Sequence, residues 1–181
     1  DINTWDVSQI SDFSNLFQNK TDFNSDISNW DVSNGTRFDF MFRDVSSFNQ
    51  DIGSWDVSSG TSFLGMFYEA FAFNQDIGNW DVSSGTDFNF MFKRAAAFNQ
   101  DIGSWDVSSG TDFRGMFSGA TSFDQDISSW VVDKDAPLLN MFDGADLMLA
   151  NQGASTTPEL SYFATIVPYV FTTREELDTA I

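Results

Sequence analysis

DIGSWDVSSGTSFLGMFYEAFAFNQ, residues Asp51 to Gln75, decides how this chain is read. The same 25-residue pattern opens at Asp1, Asp26, Asp51, Asp76, Asp101 and Asp126, with no insertion until its last copy. All six tryptophans, Trp5, Trp30, Trp55, Trp80, Trp105 and Trp130, share one column of that register. A fixed period of this length marks a stacked architecture in which each repeat touches only its neighbours.

Within one copy, Ile52, Trp55 and Val57 have the spacing of a short strand, with Trp55 and Val57 on one face and Asp56 on the other. Phe63, Met66 and Phe67 then fall at i, i+3 and i+4, the stripe of a short helix, and Thr61 stands where an N-cap belongs. Thr36, Thr86 and Thr111 hold the same place in other copies. Ala70 and Phe73 bring the chain back inward, and Asn74-Gln75-Asp76 turns it into the next copy. The pairs Asn49-Gln50, Asn74-Gln75 and Asn99-Gln100 are expected to form amide ladders. The expected fold is α/β: a leucine-rich-repeat-like solenoid over residues 1–150, each coil with a short strand in a parallel sheet and a short helix. Residues 151–181 read as a linker and C-terminal extension, a cap for a neighbouring chain. One coil alone buries too little to offset the entropy of ordering it, so stacking is obligatory.

The sixth copy departs from the pattern. Val131 replaces an Asp, Ala136-Pro137 replaces Thr-Asp, Leu138 replaces Phe, and Asn151-Gln152 arrives two residues late. Pro137 is compatible with a first helical turn, so a helix is still allowed there. Beyond it, 153–158 reads as the linker, 160–171 as a strand-like apolar stretch and 172–180 as the opening of a helix. A doubled period is also present: Phe40 and Phe90 alternate with Gly65 and Gly115. Two residues past an inward Phe on a helix, these rings should point away from the core. Two readings stand: each ring lies across the glycine of the next coil, or it docks onto a neighbouring chain.

The formal charge is −19, from 27 acids against 8 bases, which argues against nucleic acid and anionic membranes as partners. It suits solubility in salt or binding of cations. No apolar run is long enough to span a bilayer, so no membrane insertion is expected. With neither Cys nor His, the chain lacks disulfides, thiolate ligands and the commonest general base. Identical copies also leave no unique site for chemistry, and the chain reads as no enzyme. It opens at Asp1 in mid-register, without Met or signal peptide, and reads as a processed product or an excised segment.

Repetition stacks like residues. Asp6, Asp31, Asp56, Asp81 and Asp106 form one outward acidic column, and Asp1, Asp26, Asp51, Asp76, Asp101 and Asp126 another. Like charges in register are destabilising and call for an explanation. Either each carboxylate bonds to nearby Ser hydroxyls and backbone N–H groups, or the first column bridges Ca²⁺ as a cofactor. Asn19-Lys-Thr21 and Asn34-Gly-Thr36 match the N-glycosylation sequon.

The run Phe48-Asn-Gln-Asp-Ile-Gly-Ser-Trp-Asp-Val-Ser-Ser and its copies resemble the BspA-like leucine-rich-repeat surface proteins, over about residues 1–145. That resemblance implies an extracellular or cell-surface protein used in adhesion or surface structure, and no enzyme. The family pattern has Val or Ile where this chain has Gly35, Gly60, Gly85 and Gly110; here only Ile10 keeps it. It has Met where this chain has Phe38, Phe63, Phe88 and Phe113, which reads as volume compensation. The stretch 170–181 is similar to the segment that in this family precedes a repeat array and covers its first coil. The expectation is therefore a head-to-tail fibre or surface layer of this chain with itself. Trp5, Phe13 and Phe17 of one chain would meet the tail of the next, with Val131, Leu160, Tyr162, Phe163, Val170, Phe171 and Leu177 on the tail side. Phe40 and Phe90 are the candidates for lateral contacts. The alternative is a monomeric adhesin ectodomain whose acidic face binds a host, matrix or cation-bridged ligand.

Overall fold

The structure is a computed structural model and describes residues 1–164. Each 25-residue unit forms one rung, and successive rungs lie on one another in register. Phe13, Phe38, Phe63, Phe88 and Phe113 make a row of rings spaced 5.4–5.7 Å. Phe17, Phe42, Phe67, Phe92, Phe117 and Phe142 make a second row at 5.6–5.8 Å. Phe23, Phe48, Phe73, Phe98 and Phe123 make a third at 5.9–6.0 Å. Ile52, Trp55, Val57, Phe63, Met66, Phe67, Ala70 and Phe73 are all buried, and their equivalents in neighbouring rungs continue one core along the stack. Stacked rings favour such regular spacing over irregular contacts.

The expected α/β solenoid with a parallel sheet and a helix in each coil is overturned. Among the described residues the first five rungs contain neither strand nor α-helix, only turns, one 3₁₀ turn and isolated parallel bridges between successive rungs, at Asp12–Arg37, Arg37–Ser62, Ser62–Asp87 and Asp87–Asp112. The reason lies in where backbone donors go. The Asp51 carboxylate accepts from the Gly53 N–H, and the Trp55 N–H donates to the Ile52 carbonyl, so the chain turns where a strand was expected. Asp56 accepts from Ser58 in the same way and turns it again.

In the stretch expected to be helical, donors alternate. The N–H groups of Phe38, Phe40, Phe42 and Asp44 donate to Ser62, Leu64, Met66 and Tyr68 of the next rung. Those of Met41, Arg43 and Val45 make i→i−3 bonds to Phe38, Phe40 and Phe42. Half of the donors a helix would use internally thus serve the neighbour instead. Asn15, Phe40, Gly65, Phe90, Gly115 and Asn140 also lie in the left-handed region, with φ between 53° and 61°, which interrupts any right-handed helix. Consequently the Thr column does not cap helices. Thr36, Thr61, Thr86 and Thr111 donate through Oγ1 to Ser11, Thr36, Thr61 and Thr86 carbonyls of the preceding rung at 3.0–3.1 Å.

The amide ladder is present: Asn49 Oδ1 accepts from the Asn74 N–H and Gln75 Nε2, and Asn74 Oδ1 from the Asn99 N–H and Gln100 Nε2. Indole N–H groups bind across rungs too, Trp30, Trp55, Trp80, Trp105 and Trp130 donating to Ile2, Ile27, Ile52, Ile77 and Ile102 carbonyls.

The doubled period has a steric cause. A Cβ on Gly65 would stand 2.5 Å from Phe40 Cε1, and one on Gly115 2.7 Å from Phe90 Cδ1. Both half-buried rings lie across the glycine of the next rung, with the Arg43 guanidinium 5.4 Å from the Phe40 centroid and the Lys93 ammonium 4.6 Å from that of Phe90. The compensation of Gly by Phe is likewise visible, since a Cβ on Gly60 would meet Phe63 Cζ at 2.5 Å.

In the sixth rung the two additional residues are absorbed by the one α-helix among the described residues, α1 (Asp146–Asn151), which the sequence reading placed nowhere. After Pro137, where a helix was still allowed, residues 139–144 are turns. After α1 the register returns, Gln152 Nε2 donating to Asp124 as Gln100 does to Asn74. The chain then crosses its own last rung: the Asn140 N–H donates to Thr157 Oγ1 at 2.8 Å and the Phe142 N–H to the Thr156 carbonyl at 3.0 Å. Leu160–Tyr162 is a 3₁₀ turn rather than the start of a strand, and Phe163 is 5% exposed. The expected helix over 172–180 lies outside the described residues, as do Val170, Phe171 and Leu177.

Candidate functional site

Two surfaces carry the residues singled out above. On the acidic one, Asp6, Asp31, Asp56, Asp81 and Asp106 are exposed, and each Oδ1 accepts from the N–H of the Ser two residues on, at 3.0–3.1 Å. The hydroxyls of Ser8, Ser33, Ser58 and Ser83 add a second bond at 2.6–2.7 Å. These bonds, the hydroxyl contributing most and the N–H next, hold the Asp6, Asp31 and Asp81 carboxyls below their usual value. The column is thus a series of locally satisfied turns. Among the described residues no group of three or more carboxylates comes together as a metal site. Of the sequon residues, Asn19 and Asn34 are both exposed, and Asn34 Nδ2 donates to the Ser8 carbonyl of the preceding rung.

A second row of polar side chains runs along the bridged column. Asp39 is 4% exposed and takes bonds from the Arg37 guanidinium and the Ser62 hydroxyl. Asp87 accepts from the Asn89 N–H at 3.0 Å, while burial first, and then Asp112 and Asp39, push its carboxyl above the ordinary value. Raised in the folded state, such a group opposes folding as pH rises through its folded pKa, and that cost is absent once it is protonated. Asp87→Asn keeps the Oδ1 acceptor and removes the charge. It is expected to raise the thermal midpoint at pH 7, with the advantage over the parent shrinking as pH falls below the usual carboxylate range; calorimetry across pH checks this.

The other surface is the outer face of the first rung. Trp5 is 61%, Leu16 47% and Ile10 45% exposed, and Phe17 and Phe23 are half-buried. Trp5, Leu16, Phe17, Asn19, Lys20, Thr21, Asp22 and Phe23 line an open depression of about 630 Å³. In the rungs below, this side of each unit is covered by the preceding unit: Phe17 lies 5.6 Å from Phe42, and Phe42 5.6 Å from Phe67. Of the expected interface residues, Trp5 and Phe17 lie on this face, whereas Phe13 is buried and stacked on Phe38 at 5.5 Å. Ile10, Leu16 and Phe23 were missed, although Leu16 and Phe23 sit in columns that are Met and Phe in other rungs; Ile10 stands in a column that is otherwise Gly35, Gly60, Gly85 and Gly110.

At the opposite end, Val131 pairs with Ala164 in a parallel bridge, and the Tyr162 ring stands edge-on to Phe142 and Phe163 at 6.0 and 5.0 Å. Burial, with Asp126 nearby, pushes the Tyr162 hydroxyl up to about 12. Val131, Leu160, Tyr162 and Phe163 therefore meet within one molecule, on its own last rung. They lie at the end of the stack remote from Trp5.

A family model described as "Mycoplasma protein of unknown function, DUF285" matches residues 1–84 and again 61–155. The chain belongs to that family. Two overlapping matches to one DUF285 model are what a tandem repeat produces, and the periodic aromatic rows give the repeat its physical content. No curated protein and no solved structure matches the chain. No helix among the described residues is long and apolar enough to cross a membrane.

Proposed function

We propose that this DUF285 chain is a non-enzymatic structural protein of the cell exterior, which assembles end to end into a fibre or surface layer by continuing its rung stack between subunits. The observation that carries this reading is the junction that the rungs share: the same rows of rings and the same indole-to-carbonyl bond join each rung to the next, a geometry that a rung of a second copy would also fit. The resemblance to BspA-like surface proteins supports the extracellular placement. A heterologous joint that does not close on itself yields an open filament.

Subunits of charge −19 repel one another, so assembly should strengthen as salt screens that repulsion. Electron microscopy of the purified chain at low and at roughly 0.5 M salt is the test. Filaments one stack wide, longer at high salt, are expected; single particles under both conditions would refute the reading.

A further inference from the structure

Near-identical rungs pose a register problem. Residues 51–60 and 101–110 have the same sequence, and 76–85 differs from both only at Asn79. The buried columns do not tell these rungs apart either: Ile52, Trp55, Phe63 and Met66 recur as Ile77, Trp80, Phe88 and Met91. A stack that slipped by one rung would bury the same residues, and weakly specified register invites misassembly.

One position does differ. Two residues after each inward Phe the backbone is left-handed, with φ of 61° at Asn15, 53° at Phe40, 55° at Gly65, 57° at Phe90, 57° at Gly115 and 57° at Asn140. Asn and Gly adopt this conformation readily, whereas a bulky aromatic residue there is a steric outlier. The chain nevertheless holds Phe in two of these rungs, each followed by a rung with Gly. Such strain persists where the surrounding structure imposes it, and it clusters at positions with a task.

The task is directional. Phe40 Cε1 and Cδ1 stand 2.5 and 2.6 Å from where a Gly65 Cβ would lie, and Phe90 Cδ1 and Cε1 both stand 2.7 Å from that point on Gly115. The three atoms nearest the Gly65 point all belong to Phe40 and none to Phe90, so each ring reaches forward along the stack and not back. Turning the Phe40 ring outward means displacing Arg43, whose guanidinium is 5.4 Å from its centroid and 5.0 Å from that of Tyr68. We propose that this contact is a pairing code: a rung with Phe accepts only a rung with Gly after it. Stacking Phe40 on Phe90, or Phe90 on Asn140, would set a real Cβ against the ring, so a slip by one rung at a Phe rung is refused. The contacts lie within one chain, and the inference is independent of the assembly reading.

Substitutions in the full chain test it. Gly65→Asn puts at Gly65 a residue that the same position carries in the first and sixth rungs, and should lower the thermal midpoint by roughly 2–12 °C. Adding Phe40→Gly should recover most of that loss, because Gly before Asn and Asn before Phe are both native junctions, at Gly115–Asn140 and Asn15–Phe40. Adding Phe90→Gly instead should recover none. Additive losses with Phe40→Gly, or equal recovery with both, would overturn the forward contact. The variant with Phe40→Gly and Phe90→Gly lacks the code. After refolding from denaturant, a fraction of it should carry a looped-out rung that limited proteolysis cuts between residues 26 and 125, where the parent stays intact. A refolded variant as resistant as the parent would overturn the role in register.

Discussion

Phe67→Ala is expected to lower the unfolding free energy by about 3–5 kcal/mol, among the largest effects any single substitution in this chain can have. Phe67 is fully buried, and its ring faces Phe42 and Phe92 at 5.6 Å in adjoining rungs, Phe73 at 3.9 Å in its own, and Trp80 at 6.3 Å. Removing it opens a void bounded by four other rings, none of which can move inward without leaving its own row. Nearest-neighbour coupling makes the position informative. Phe17 holds the same column but is covered from one side only, so Phe17→Ala should cost roughly 1–2 kcal/mol. Denaturant melts of the two variants measure the difference. Equal losses at the two positions would mean that the first rung is as well covered as the third.

Gly85→Val should be nearly as damaging, at about 1–3 kcal/mol or somewhat more. A Cβ there would lie 2.4 Å from Phe88 Cζ and 2.9 Å from the Val82 carbonyl oxygen. The ring cannot retreat, because Phe88 is stacked between Phe63 at 5.7 Å and Phe113 at 5.4 Å. Phe88→Met shortens that side chain and recreates, in one rung, the Val-and-Met pairing of the BspA-like pattern. The two changes are therefore expected to couple favourably, the double variant being more stable than the sum of the singles by about 1–3 kcal/mol. Additive losses in the double-mutant cycle would show that the clash is relieved by some path other than the ring.

The inward residues were legible because burial repeats with the unit. Any coil that stacks in register must bury the same columns, whatever its backbone does, and Ile52, Trp55, Val57, Phe63, Met66, Phe67 and Phe73 are all buried. Backbone conformation was not legible from that pattern. Alternation at Trp55 and Val57 mimics a strand, yet Asp51-Ile-Gly and Asp56-Val-Ser each place a donor two residues after an Asp, the signal of a side-chain-closed turn. The i, i+3, i+4 spacing of Phe63, Met66 and Phe67 mimics a helix, but successive i→i−3 turns give the same inward set. The warning was the residue two places after each of the inward Phe13, Phe38, Phe63, Phe88 and Phe113. It is Asn, Phe, Gly, Phe and Gly in turn, at Asn15, Phe40, Gly65, Phe90 and Gly115, and both Asn and Gly tolerate positive φ.

At the candidate site, Trp5 and Phe17 were found because they break no column, and their exposure follows from position in the stack alone. Residues 159–164, whose 3₁₀ turn and bridge to Val131 repeat the opening of a rung, escaped notice for the opposite reason. Their Trp is Phe163, their Asp positions are Glu159 and Ala164, and the two additional residues of the sixth rung plus the crossing at Thr156 and Thr157 shift them off the 25-residue register. Only the backbone bonds and the Val131–Ala164 bridge restore the correspondence.

Sedimentation velocity over a wide concentration range at moderate salt tests the assembly directly. Stacking between subunits predicts a weight-average mass that climbs with concentration from 20.3 kDa through multiples of it. A single boundary at 20.3 kDa at every concentration would contradict it.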